Sequence, residues 1–166
     1  MNRERENNIY DNDQIASIVS KWTKKAGTMI PKEPESIMKL LESGLTVMVW
    51  SKEGEPIGFA AVTFEWPGGW KELGGLVVNP DFRQQGVGHL VVVKQTEMAK
   101  AKFPDGKLFA LCNKDSLKIL LSLGAEIIDD PNLLPKEVWK ECIECPNFQK
   151  AKLEGKLCCD TPVRIK

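Results

Sequence analysis

Residues 73–90 read LGGLVVNPDFRQQGVGHL, and this stretch decides the fold. A strand of large apolar and β-branched residues ends at Asn79-Pro80, and a helix starts inside the glycine segment at 86–88. Backbone N–H groups at a helix start have no intrahelical partner and carry the positive end of the macrodipole. Such a turn is a ready pocket for phosphate oxygens. Gly86 and Gly88 let the backbone approach an anion with no Cβ in the way, and Arg83 adds a positive charge nearby. Two other phosphate loops fail on the residues. A Walker-type loop needs Lys-Ser/Thr after the glycines, and none follows; a dinucleotide fingerprint needs a third glycine, where this chain has Val91. Gly74-Gly75 lies inside the preceding strand, where paired glycines predict a bulge or a close backbone approach.

Outward from this stretch the pattern is mixed. Toward the N-terminus, Ile15, Ile18, Val19 and Trp22 repeat at helical spacing behind Asp11 or Asp13 as a cap. Pro34 opens a second short helix with an apolar stripe at Ile37, Met38, Leu40 and Leu41, and Gly44 ends it. Residues 45–50 and 57–64 read as a hairpin across the turn SKEGEP, and 70–78 is the third strand. Toward the C-terminus come a helix over 87–102, a buried-type strand at 107–112, a helix capped by Asn113 or Asp115 and closed by Gly124, and a strand at 125–128. The order predicts an α/β (α+β) fold with a central mixed sheet flanked by helices. Residues 1–13 read as a flexible arm and 14–166 as one domain, with a Cys-rich extension at 139–166.

Composition narrows the partners. Lys plus Arg (23) equal Asp plus Glu (23), so the basic excess of a nucleic-acid binder is missing. No apolar run approaches the roughly 20 residues of a membrane span, and MNRERENNIYDND has no secretory apolar segment. A cytoplasmic protein with reduced thiols is the expectation.

The segment Arg83-Gln84-Gln85-Gly86-Val87-Gly88 resembles the R-x-x-G-x-G acetyl-CoA motif of the GNAT superfamily of N-acyltransferases, with matching strand, Pro80, helix and downstream Asn113. The resemblance spans about residues 14–130 and implies roles by position. Leu76, Val77 and Val78 would lie beside the pantetheine and thioester. Arg83, Gln84, Gln85, Gly86, Val87, Gly88 and His89 would hold the pyrophosphate, and Asn113 and Ser116 would contact the far part of the pantetheine. A strand N–H, from Leu76 or Val77, would polarise the thioester carbonyl.

The implied reaction is attack of a primary amine on acetyl-CoA, without a covalent enzyme intermediate. It needs a proton acceptor. Relatives often carry a glutamate eleven residues before the motif arginine, which is Glu72 here; a solvated strand carboxylate is the plainer reading of the same residue, and Glu65 is the reserve. The tyrosine that often protonates the departing thiolate is missing: its position falls near Leu120, and the one tyrosine, Tyr10, is far upstream. Ser116 or water would have to serve. His89 belongs with the phosphate turn, and Cys112 reads as a small core residue.

The tail carries Cys142, Cys145, Cys158 and Cys159, enough for a structural zinc site; reduced buried thiols are the alternative. The run LPKEVWKECIECPNF is similar to the tail of short N-acetylglutamate-synthase-like acetyltransferases, which points to a small-molecule amine acceptor, an amino acid among them. A non-catalytic CoA-binding module and a protein or peptide N-acetyltransferase are the alternatives. The oligomeric state stays open, a homodimer included.

Overall fold

The computed structural model describes residues 9–145, 147–155 and 160–166. A six-stranded sheet runs in the order β1-β2-β3-β4-β6-β5: β1 (Thr46–Trp50), β2 (Pro56–Trp66), β3 (Trp70–Val78), β4 (Lys107–Cys112), β5 (Glu126–Ile127) and β6 (Thr161–Ile165). β3 and β4 are parallel and every other neighbouring pair is antiparallel. The parallel pair needs a crossover, and α3 (Val87–Lys102) supplies it.

Helices cover both faces. α1 (Asn12–Ala26) and α2 (Pro34–Ser43) pack on one side, with Ile15, Val19 and Ile37 against Phe59, Ala61 and Val77. α3 packs on the other, with Val87 and Val91 against Ala60 and Val49, and Val92 against Val62. Burial on both faces explains why residues 56–62 of β2 are buried without a break. The approach of α3 is close: a Cβ at Gly58 would stand 2.5 Å from Val91 Cγ2. α4 (Lys114–Ser122) follows β4, and α5 (Lys136–Glu141) tucks Val138 beside Trp70 and Phe109. α6 (Phe148–Leu153) is a short tail helix. Among the described residues no helix is long and apolar enough to cross a membrane.

Three sequence expectations change. The first helix begins at Asn12, inside the expected arm, because Asp11 and Gln14 form a reciprocal capping box. The strand expected at 125–128 shrinks to Glu126–Ile127. β6, which the sequence did not suggest, enters between β4 and β5. Pro162 argues against a central strand, yet its carbonyl still accepts from Ile128 N–H at 2.9 Å.

Candidate active site

Two register shifts shape β3. Phe59 pairs with Val77 and Ala61 with Gly74, so β3 carries one residue more than β2 across that interval; the reverse holds between Val62/Leu73 and Phe64/Glu72. Gly75 sits at φ +65, a left-handed conformation that favours glycine. Gly75 and Leu76 have no strand partner in β2 or β4. Pairing of β3 with β4 stops at Glu72↔Phe109. Beyond that point the two parallel strands part, as the glycine pair predicts.

Cavities on either side of this opening form one path. A groove of about 590 Å³ is lined by Leu76, Val77, Val78, Arg83, Gln84, Gly86, Gly88, His89 and Asn113. A middle cavity shares Leu76 and Asn113 with it and adds Gly74, Gly75, Cys112 and Ser116. A third, of about 180 Å³, continues past Gly74 and Gly75 to Glu72, Lys32, Glu141 and Cys145. Thr28 touches all three.

The groove is a backbone site. α3 makes its first ladder bond from Leu90 N–H to Gly86 C=O at 3.1 Å, which leaves the N–H groups of Val87, Gly88 and His89 without intrahelical partners. Gly86 has φ +78 and nothing within 4 Å of where its Cβ would stand. Gln84 also has positive φ, +60, an uncommon conformation for a residue with a side chain. Two of the expected contacts are narrower than the motif implies. Val87 buries its side chain in the core and offers only its backbone, and Gln85 points its amide to Asp81 C=O at 3.3 Å. Val77 likewise packs its side chain under α1 and faces the groove by its main chain.

At the start of α4, Asn113 Oδ1 accepts from the N–H groups of Asp115 (3.0 Å) and Ser116 (3.1 Å). Ser116 Oγ lies 3.1 Å from Asn113 Oδ1 and 3.3 Å from its carbonyl, so its proton is engaged within the cap. Ser116 lines the middle cavity rather than the groove. Leu120, at the position where the family resemblance implies a tyrosine, is buried at the wall of that cavity. Tyr10 packs against Trp50 and lines none of the three cavities. Burial pushes the Cys112 thiol up to about 12, which fits a core residue and not a nucleophile.

The small cavity is a side-chain site. Burial raises the Glu72 carboxyl from its ordinary 4.5 to about 6. The Trp66 indole N–H, donating to Glu72 Oε2 at 2.8 Å, and the Lys32 charge oppose that rise, and Glu141 adds to it. Burial lowers the Lys32 pKa, against the pull of Glu72 and Glu141. Among the described residues the Lys32 ammonium has no ion pair or hydrogen bond. Its main chain is anchored instead, the N–H donating to Thr23 Oγ1 at 2.9 Å. Glu65 is ion-paired with Lys71 and lines none of the cavities, which removes it as a reserve base.

Sequence reasoning missed Lys32, Glu141 and the cysteine side of this cavity. The tail cysteines divide. Cys142 is buried and Cys145 half-buried, both as free thiols at the cavity wall; Cys158 and Cys159 lie outside the described residues. Among the described residues no group of three or more His, Cys, Asp or Glu could hold a metal ion.

Residues 13–124, more than half of the chain, match the Acetyltransferase (GNAT) family. No curated protein matches the sequence. Several solved structures share the fold. One, a Mycobacterium tuberculosis protein in complex with CoA, has a TM-score of 0.67 at 14% identity, covering 92% of this chain and 94% of its own. The N-acetylglutamate synthase of Neisseria gonorrhoeae, complexed with coenzyme A and N-acetyl-glutamate, gives 0.61 at 14%, over 96% of this chain and 34% of its own. The ribosomal-protein-alanine N-acetyltransferase of Brucella melitensis gives 0.57 at 20%, over 71% and 80%.

Proposed function

The chain belongs to the acetyltransferase (GNAT) family, and from that premise we propose that it moves an acetyl group from acetyl-CoA to the primary amine of a small molecule that also carries a carboxylate, an amino acid. The observation that carries this reading is the small cavity, where Glu72 lies with Lys32, whose ammonium makes no ion pair or hydrogen bond among the described residues, beyond the open edge of β3.

Acetyl-CoA brings the acetyl group as a thioester and departs as the thiol. The residues present fit it. The free N–H groups of Val87, Gly88 and His89 suit the pyrophosphate, with Gly86 leaving the approach clear and Arg83 supplying charge. The main chain of 76–78 suits the pantetheine arm, and Asn113, its Oδ1 spent on the cap, keeps its Nδ2 for the same arm.

Glu72 takes the proton of the acceptor ammonium. A carboxyl near 6 is ionised at neutral pH and basic enough to work as a proton acceptor. Its hydrogen bond from Trp66 fixes one oxygen and leaves the other for the amine. Lys32 pairs with the acceptor's carboxylate and so turns the amine toward Glu72. With Leu120 in the tyrosine position and the Ser116 proton engaged, water returns a proton to the departing sulfur. The cavity is small beside the groove, about 180 against about 590 Å³, which favours a free amino acid over a peptide. The Neisseria enzyme's N-acetyl-glutamate complex agrees with that class.

The test is CoA release over amino acids, their decarboxylated amines, polyamines and peptide N-termini. Amino acids should exceed their decarboxylated counterparts by about tenfold in kcat/KM, one charge-assisted contact. Equal rates remove the carboxylate from the reading. Peptides alone as acceptors assign the site to protein N-termini, and binding without turnover assigns it to a CoA-binding module.

A further inference from the structure

We propose that Gln95 is a positioning residue that locks the bulge of β3, holding the Gly75 and Leu76 N–H groups out of the sheet and toward the thioester carbonyl. The inference rests on the reading that the thioester lies beside β3.

Gln95 lies on the inner face of α3 and is 4% exposed. Its buried neighbours on that face are Val87, Val91, Val92, Thr96 and Ala99, all apolar but Thr96. A buried amide among such residues is costly unless both of its protons are used. They are, since Nε2 donates to Ala61 C=O at 2.8 Å and to Gly74 C=O at 3.0 Å. Ala61 and Gly74 are register partners, and they are the pair at which the register of β2 and β3 breaks. Pairing with β4 has already stopped at Glu72, so no strand on that side holds the Gly74 carbonyl. One side chain thus pins both strands at one end of the interruption.

The consequence follows from peptide geometry. The Gly74–Gly75 peptide is trans and planar. With its carbonyl drawn toward α3, its N–H, which belongs to Gly75, must point away from α3. Gly75 at φ +65 then takes the chain out of regular strand geometry, and Leu76, the next residue, has no strand partner. Gly74, Gly75, Leu76 and Gln95 line the same middle cavity between the cofactor groove and Glu72. α3 therefore does two things with one rigid body. Its first turn offers N–H groups to the pyrophosphate, and a residue further along fixes the strand where the acyl group must lie.

Gln95→Leu keeps the apolar interface and removes both donors; Gln95→Glu keeps one donor only while protonated. For Gln95→Leu we expect kcat to fall about 30- to 100-fold, near the scale of a lost oxyanion donor, with CoA affinity within threefold of wild type. For Gln95→Glu we expect partial rescue at low pH that fades as the carboxyl ionises against the two carbonyls. Read as the ratio to wild type at each pH, that profile should come with unchanged CoA affinity, whereas a merely structural role would lower affinity and melting temperature together. If Gln95→Leu does not fold, the pH profile of Gln95→Glu carries the test. Amide NMR separates this inference from the acetyltransferase reading: adding acetyl-CoA in place of CoA should move the Gly75 and Leu76 resonances in wild type and not in the variants, whether or not any amine turns over. A Gln95→Leu variant with wild-type kcat, or Gly75 and Leu76 resonances that ignore the acetyl group in wild type, overturns the proposal.

Discussion

The groove and the small cavity, proposed above as cofactor and acceptor sites, meet at the opening in β3, and they are built in opposite ways. The groove is largely local in sequence: residues 76–89 supply most of its walls, and Ala26, Thr28, Asn113, Asp115 and Ile119 complete it. The acceptor cavity draws on the loop after α1, on β2, β3 and β4, on the α5 end and on Asp160, and it works through side chains. Backbone N–H groups are the same in every sequence, so a groove made of them can be kept by glycines and one helix start. A cavity made of Lys32, Glu72 and Glu141 changes with each substitution. The contrast explains how one fold can keep its acyl donor and change its acceptor.

The largest expected effect breaks the groove alone. Gly86→Val should weaken acetyl-CoA binding by at least about 100-fold, since a β-branched residue resists φ +78 and would project into the anion's approach. Calorimetry on the folded variant reads this, and unchanged affinity would remove the turn from the site.

A second measurement concerns the acceptor side. Burial raises the folded-state pKa of Glu72 to about 6, above its ordinary 4.5. Its favourable contribution to folding is therefore complete below about pH 4.5 and is lost as pH rises through 6. Glu72→Gln carries no such penalty, so at pH 8 it should be the more stable protein by about 2 kcal/mol, from about 1.4 kcal/mol per pK unit. The difference should vanish below pH 4.5 in urea titrations. A variant less stable than wild type at pH 8 contradicts a desolvated carboxylate.

The smallest expected effect sharpens the division between the two regions. Lys32→Met should raise KM for a carboxylate-bearing acceptor about tenfold and leave acetyl-CoA affinity and the KM of a simple amine unchanged. An equal rise for both acceptors would mean that Lys32 shapes the cavity without reading a carboxylate.

Legibility in the sequence follows the same division. The order of elements as far as Ile127, the bulge at Gly74-Gly75, the helix start at Gly86 and a cap at Asn113 or Asp115 are local features, set by φ preferences and capping within a few residues; the structure has them, with Asn113 as the cap. Glu72, the proposed base, is marked by the family resemblance through its fixed distance from Arg83. Lys32 carries no such mark, because a lysine after Pro31 reads as solvated until the fold covers it. The tail is hard to read for a related reason. Its cysteines drew attention to metal binding, while Thr161, Val163 and Ile165 took the place between β4 and β5. An alternation five residues long containing a proline is too weak a signal to announce a central strand.

The measurement that bears most directly on the central claim is the pH–rate profile of wild type and Glu72→Gln, with acetyl-CoA affinity measured beside it. Wild-type kcat/KM should climb as pH rises through about 6. Glu72→Gln should lose that limb and about 100-fold in kcat, with acetyl-CoA affinity unchanged. Full kcat in Glu72→Gln at neutral pH would contradict it and return Glu72 to a strand carboxylate with no part in the chemistry.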